Sequence, residues 1–216
     1  MDDQPEEYFG TFSGEPSFKL KNNPDTRPTF ILLEDFSFTD PNGLEWSVPK
    51  CWEVDGASIP KVAWSFIGGP MSGKYAHASI IHDKYCDTKE RTAHDTHRVF
   101  YYGMKANGVG DSKAKIMYWA VRTFGPSWRL TKGRFGNIGR IMGGIFGGGL
   151  TITPIDEPTV PSEMIEEIMG KIKPEMSLSE LDELSDSIRK DHGSEEIQQD
   201  VPWETVIEKM LRQSEN

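Results

Sequence analysis

The chain has 216 residues, of which 36% are hydrophobic, and a formal net charge of −10. That length accommodates one large domain or a medium domain with an appendage, and no apolar run approaches the roughly 20 residues that span a bilayer. Overall acidity speaks against nucleic acid as the main partner. The acidic start, Met1 to Glu7, lacks the basic region of a secretory leader, so synthesis in a cytoplasm without a signal peptide is expected.

Residues 8–54 read as β-rich. Thr29 to Leu33 and Asp35 to Phe38 are β-prone, Leu44 to Val48 alternates apolar with polar, and Asp40-Pro41-Asn42-Gly43 between them is a hairpin turn signal. Pro49 should limit the last of these strands to an edge or end it there. Residues 73–125 read as helical. Tyr75, Ala78, His82 and Tyr85 recur at helical spacing, and Asp95 shares a face with Val99, Tyr102 and Ala106. Gly108-Val109-Gly110 ends the second helix, Asp111 or Ser112 can cap a third, and Gly125-Pro126 stops it. The expected fold is α+β: a small N-terminal antiparallel sheet followed by a three-helix unit, with an acidic, mostly helical C-terminal extension.

Charge and composition suggest where to divide the chain. Residues 151–216 carry 17 acidic and 6 basic side chains, a net of −11 against −10 for the whole, which leaves +1 for residues 1–150. Residues 105–140 hold eight Lys or Arg and only Asp111 as an acid, a basic edge suited to phospholipid headgroups, phosphate backbones or the protein's own acidic tail. From Phe135 to Leu150, glycine mixes with Ile, Met and Phe, either as a linker or as a segment that touches a membrane or a partner groove. The expected organisation is therefore a core domain over 1–132, a glycine-rich segment over 133–158 and an acidic helical tail over 159–216. The tail shows amphipathic stretches at Met164 to Ile172, Leu178 to Ile188 and Val201 to Leu211, and a capping box at Ser177 to Glu180. It is expected to pack less tightly than the core, to be removable, and to dock on a protein partner or on its own body.

The chemistry-bearing residues gather in the centre. His82-Asp83 lies in the first helical stretch and Asp95 in the second. With a turn near Asp87-Thr88, an antiparallel hairpin sets His82 and Asp95 at similar heights at about 1.5 Å per residue, so that Asp95 orients the imidazole. Asp83, about 100° around the helix, stays open for a cation. Such a grouping suggests a hydrolase. Ser58, in Asp55-Gly56-Ala57-Ser58-Ile59-Pro60, has two roles open to it: a nucleophile with His82 as base, or a turn residue bonded to nearby amides. Asp55 can shape that turn or reach the cation beside Asp83. Cys51 and Cys86 lack metal-ligand spacing; they can form one disulfide but read better as a pair of ordinary buried thiols. His94 and His97, at i and i+3, are a better metal pair than His77 and His82, or else ordinary helix residues.

The ordered motifs Val54 to Pro60, Trp64, Gly69-Pro70, Gly73, Tyr75, Ala78, His82-Asp83, Arg91, Asp95 and Val121 to Gly125 resemble a bacterial and phage domain-of-unknown-function family, number 1353. That resemblance covers roughly residues 8–130 and implies a phage or mobile-element origin. The His-Asp helix facing an Asp-bearing helix is also similar to the core of secreted phospholipases A2. That second resemblance implies His82 as general base, Asp83 as a Ca²⁺ ligand, Asp95 as the orienting carboxylate, and backbone carbonyls of the Phe66 to Pro70 loop around Gly68 as further ligands. The loop lacks the cysteines of those enzymes, and Cys86 stands where an aromatic is expected. The expected function is a metal-dependent hydrolase of bacterial-envelope esters or amides, associated with a virion or delivered to the envelope. The alternative is a noncatalytic phage tail, morphogenesis or partner-binding protein.

Overall fold

The computed structural model describes residues 8–21, 29–54, 73–132 and 150–197. Six short strands come first: β1 (Thr11–Phe12), β2 (Phe18–Lys21), β3 (Thr29–Leu32), β4 (Phe36–Thr39), β5 (Glu45–Val48) and β6 (Glu53–Val54). They form two antiparallel sheets, ordered β1-β4-β5 and β2-β3-β6. The β4–β5 hairpin turns where expected. Asp40 Oδ1 accepts from the amides of Asn42 at 2.8 Å and Leu44 at 3.1 Å, Asp40 Oδ2 accepts from Trp46 Nε1 at 3.1 Å, and Gly43 takes a φ of 83° that a side chain would resist. Alternation along β5 buries Trp46 and Val48 and exposes Glu45 and Ser47.

Three helices follow a short 3₁₀ turn at Gly73–Tyr75: α1 (Ala76–Thr88), α2 (Ala93–Ala106) and α3 (Asp111–Phe124). α1 is the central element, with every residue from Ala78 to Cys86 buried. One flank, Ile80, Ile81 and Tyr85, packs on Leu32, Phe36, Phe38, Trp46, Val48 and Val54 of the sheets. Tyr85 fixes that contact, its hydroxyl accepting from the Ser47 amide at 3.1 Å. The other flank faces α2. α1 ends at Lys89, whose φ of 53° breaks the helix, and α2 starts from Thr92, whose hydroxyl accepts from the Asp95 amide. α3 stops at Gly125, where a Cβ would stand 2.3 Å from the Val121 carbonyl oxygen.

Beyond α3 the chain returns to the body. β7 (Ser127–Lys132) pairs antiparallel with β8 (Leu150–Ile155), a strand inside the stretch read from composition as a linker. Two helices follow, α4 (Ser162–Lys171) and α5 (Leu178–Asp191), and α5 carries the expected capping box at Ser177 and Glu180. α5 packs along α3. Ile165, Met169, Leu181 and Ile188 belong to the same buried cluster as Phe100, Met104, Tyr118 and Trp119. The core thus runs across the boundaries at 132 and 158, and through residue 197 the acidic extension is packed against the body. The stretch Val201 to Leu211 lies outside the described residues. Among those described, no helix is long and apolar enough to cross a membrane.

Candidate functional site

α1 and α2 form the antiparallel hairpin expected around His82, with a different register. The turn occupies residues 89–92, so the midpoint of the hairpin falls later than a turn at Asp87-Thr88 would place it. The residue that meets His82 is His97, two positions beyond Asp95 and about 200° farther around the helix. His82 Nε2 lies 2.9 Å from His97 Nδ1, and Phe100 lies against the His82 ring at a centroid distance of 4.8 Å. Both imidazoles have 0% exposed surface. Cys86, one turn after His82 on the same face, places Sγ 3.6 Å from His82 Nε2 and 3.8 Å from Nδ1. The donor atoms of His82, Cys86 and His97 all lie within 4.8 Å of one another.

Burial decides the charge state of this cluster. An imidazolium in a dry core loses its hydration, so burial holds His82 down to about 3. His97 is held well below its ordinary value first by burial and then by His82, Arg122, Arg189 and His94 around it. Both rings are neutral at physiological pH, and His97 Nε2 has no hydrogen-bond partner among the described residues.

The pairing of His82 with Asp95 expected from sequence is therefore corrected. Asp95 turns back onto the start of α2, where Thr92 Oγ1 donates to its Oδ2 at 2.7 Å and its Oδ1 stands 3.4 Å from His94 Nδ1. Partial burial pushes its carboxyl upward, but the bonds from His94 and Thr92 outweigh that and hold it below the usual range. Asp95 is the third residue of α2, where the helix dipole favours a negative charge and the capping residue Thr92 is within reach of its carboxylate. Asp83 was expected to open toward solvent or a cation and is instead buried in α1. Ser58, Asp55 and Gly68 lie outside the described residues. His77 faces away from the cluster, with Nε2 3.1 Å from Glu15 and its ring against Phe12 and Phe36.

A second polar centre was not foreseen. Asp182 of α5 is buried, and Oδ2 accepts from Arg98 Nη2 at 2.9 Å and lies 3.3 Å from His94 Nε2. Its Oδ1 accepts from the Tyr118 hydroxyl and stands 3.3 Å from Arg122 Nε. Burial works to raise this carboxyl, yet the bonds from His94, Tyr118 and Arg98 bring it down to about 2. His94 in turn is raised: burial lowers it, and Asp182 and Asp95 more than reverse that. Cys86 could have been found from its i+4 spacing to His82, whereas nothing local to Asp182 marks it.

The family described as Protein of unknown function (DUF1353) matches the segment from β3 almost to the end of α3. The match covers residues 30–121. The DUF1353 region contains His82, Cys86, Asp95 and His97 and ends before β7, so Asp182 reaches it from outside. The chain is 61% identical over 127 residues to Uncharacterized protein y4jT of Sinorhizobium fredii (strain NBRC 101917 / NGR234), covering 59% of this chain and 38% of that protein. It is 44% identical over 112 residues to Uncharacterized protein y4iH of the same organism, covering 52% of this chain and 47% of that protein. The matched part thus spans less than half the length of these relatives. No solved structure matches the chain.

Proposed function

We propose that the DUF1353 region is a metal-dependent hydrolase of ester or amide bonds of the bacterial envelope, phage or mobile-element encoded, with phospholipid acyl esters as the first substrates to test. The observation that carries this reading is the pair of neutral, facing imidazoles, His82 and His97, buried in a helical hairpin beside a thiol. Hydrolysis adds a water oxygen to the acyl carbon, moves a water proton to a base, and returns it to the leaving oxygen or nitrogen as the old bond breaks. An imidazole held at about 3 is a weak base for that task. The water must therefore be made more acidic, which is what a bound divalent cation supplies. A calcium form of this chemistry needs Asp83 together with Asp55 and the Gly68 loop, and the last two lie outside the described residues.

A noncatalytic role in a phage tail, in morphogenesis or in partner binding draws on a specific observation too: His82 and Asp83 are both buried, as a structural lock requires. The two readings part in one assay. The purified full chain is offered aryl esters, phospholipid vesicles and peptidoglycan, with calcium, zinc or chelator. The hydrolase reading expects turnover that disappears with chelator and falls about 10²–10⁴-fold in His82→Gln, with circular dichroism unchanged. No turnover of any substrate with either ion leaves the lock.

A further inference from the structure

We propose that His82 Nε2, His97 Nδ1 and Cys86 Sγ form a binding site for a zinc-class divalent metal ion. The assignment shares residues with the hydrolytic reading but does not depend on it, because such an ion can equally be structural.

Three observations support it. The first is the donor set. Two imidazole nitrogens and one thiol sulfur suit zinc or cobalt(II), whereas calcium takes oxygen ligands. The second is distance. Zinc–nitrogen bonds of about 2.0–2.1 Å and zinc–sulfur bonds of about 2.3 Å at tetrahedral angles place nitrogen and sulfur about 3.6 Å apart, and two nitrogens about 3.3 Å apart. Cys86 Sγ stands 3.6 Å from His82 Nε2, and the two imidazole nitrogens stand 2.9 Å apart, so the rings need to part by a few tenths of an ångström. The third is enclosure. All three residues are buried, so packing fixes the donor atoms beside one another away from bulk water. Burial also keeps both rings neutral, the form in which imidazole binds metal.

The positions of the ligands in the fold support the same reading. His82 and Cys86 are one turn apart on α1 and His97 faces them from α2, so three rigid helical positions converge without a loop. Cys86 is a thiol and not half of a disulfide. Three ligands leave a fourth tetrahedral position for water, the pattern of catalytic zinc sites; a fourth protein ligand would close it as a structural one.

The test uses the full chain stripped of metal and titrated with cobalt(II). The expected result is one equivalent bound, with the visible bands of tetrahedral cobalt, a near-ultraviolet thiolate-to-cobalt band, displacement of both by zinc, and a higher melting temperature with zinc. Cys86→Ser should lose the thiolate band and Cys51→Ser should keep it, since Cys51 is exposed and far from the cluster in sequence. His97→Gln should weaken binding at least tenfold, and His77→Gln should leave it unchanged. Should a ligand variant fail to fold, X-ray absorption of the zinc-loaded wild type reads the same set directly as two nitrogens and one sulfur. Absence of tetrahedral cobalt bands in the wild type, a thiolate band that survives Cys86→Ser, or an all-oxygen shell would overturn the site. Binding without hydrolysis removes the hydrolase reading and leaves the metal site. Hydrolysis that needs a divalent ion yet persists in Cys86→Ser does the reverse.

Discussion

His94 shows how one residue's setting makes the protein's stability depend on pH. It sits between Asp95 of its own helix and Asp182 of α5, with Arg98 nearby opposing its charge. Its folded pKa is raised above 6.5, so its contribution is complete below that value and is lost as pH rises through the folded pKa. Asp182 works in the opposite sense. Its folded pKa of about 2, against 3.8 for a free carboxyl, gives stability that is present above 3.8 and disappears as pH falls toward 2. The pair is strongest between those limits. Urea unfolding of wild type and His94→Asn should therefore differ most from about pH 4 to 6.5 and converge in alkali, while Arg98 and Tyr118 go on holding Asp182. A gap that widens with rising pH would mean that His94 is buried neutral.

At the scale of elements, α5 is held to α2 and α3 by polar groups as well as by the apolar stripe that its sequence advertises. Asp182 meets His94, Arg98, Tyr118 and Arg122, Ser185 Oγ lies 3.0 Å from Thr123 Oγ1, and Arg189 donates to the Thr123 and Glu195 carbonyls. Removing one member of such a network strands the others in a dry interior, which typically costs about 3–5 kcal/mol. Asp182→Asn should lower stability by that order, measured by chemical denaturation at pH 7, and Ser177→Ala at the exposed cap by about 1 kcal/mol. Equal small effects from both would mean that the Asp182 network is solvated. The α1–α2 hairpin was legible as two helices, but its register was not, because moving the turn by two or three residues rotates the facing partner from Asp95 to His97.

For the whole molecule, the acidic C-terminal extension belongs to the core at least as far as residue 197. Leu181, Ser185, Ile188 and Arg189 are buried, and Ile197 packs with Cys86, Ala93 and Trp128 next to the candidate site. A chain ending at residue 158 leaves Arg122, Tyr118 and Arg98 without Asp182 and uncovers apolar surface on α3. It should bind hydrophobic dyes, lose its cooperative melt and express poorly. A soluble truncated chain with an unaltered melting temperature would show that the boundary drawn from composition is real and that the extension only rests on the body. The near-neutral body and the strongly acidic extension meet through named ion pairs, Arg98 and Arg122 with Asp182, Arg122 with Asp186 and Arg129 with Glu195. That is the self-docking outcome among the partners open to the basic edge.

The sequence alone determined which segments are strands and helices from Thr29 to Phe124, where the hairpin turns at Asp40 and Gly43, where Ser177 can cap, and that His82 looks inward. Those are local matters of alternation, helical spacing and turn chemistry, decided within a few residues. Only the tertiary structure decided that His97 and Cys86, and not Asp95, surround His82, that Leu150–Ile155 is a strand, and that Asp182 crosses to the DUF1353 region from the far side of a glycine-rich stretch. Register between helices depends on turn length, and long-range pairing on which buried charges find partners. Neither quantity is written in the spacing of residues along one segment.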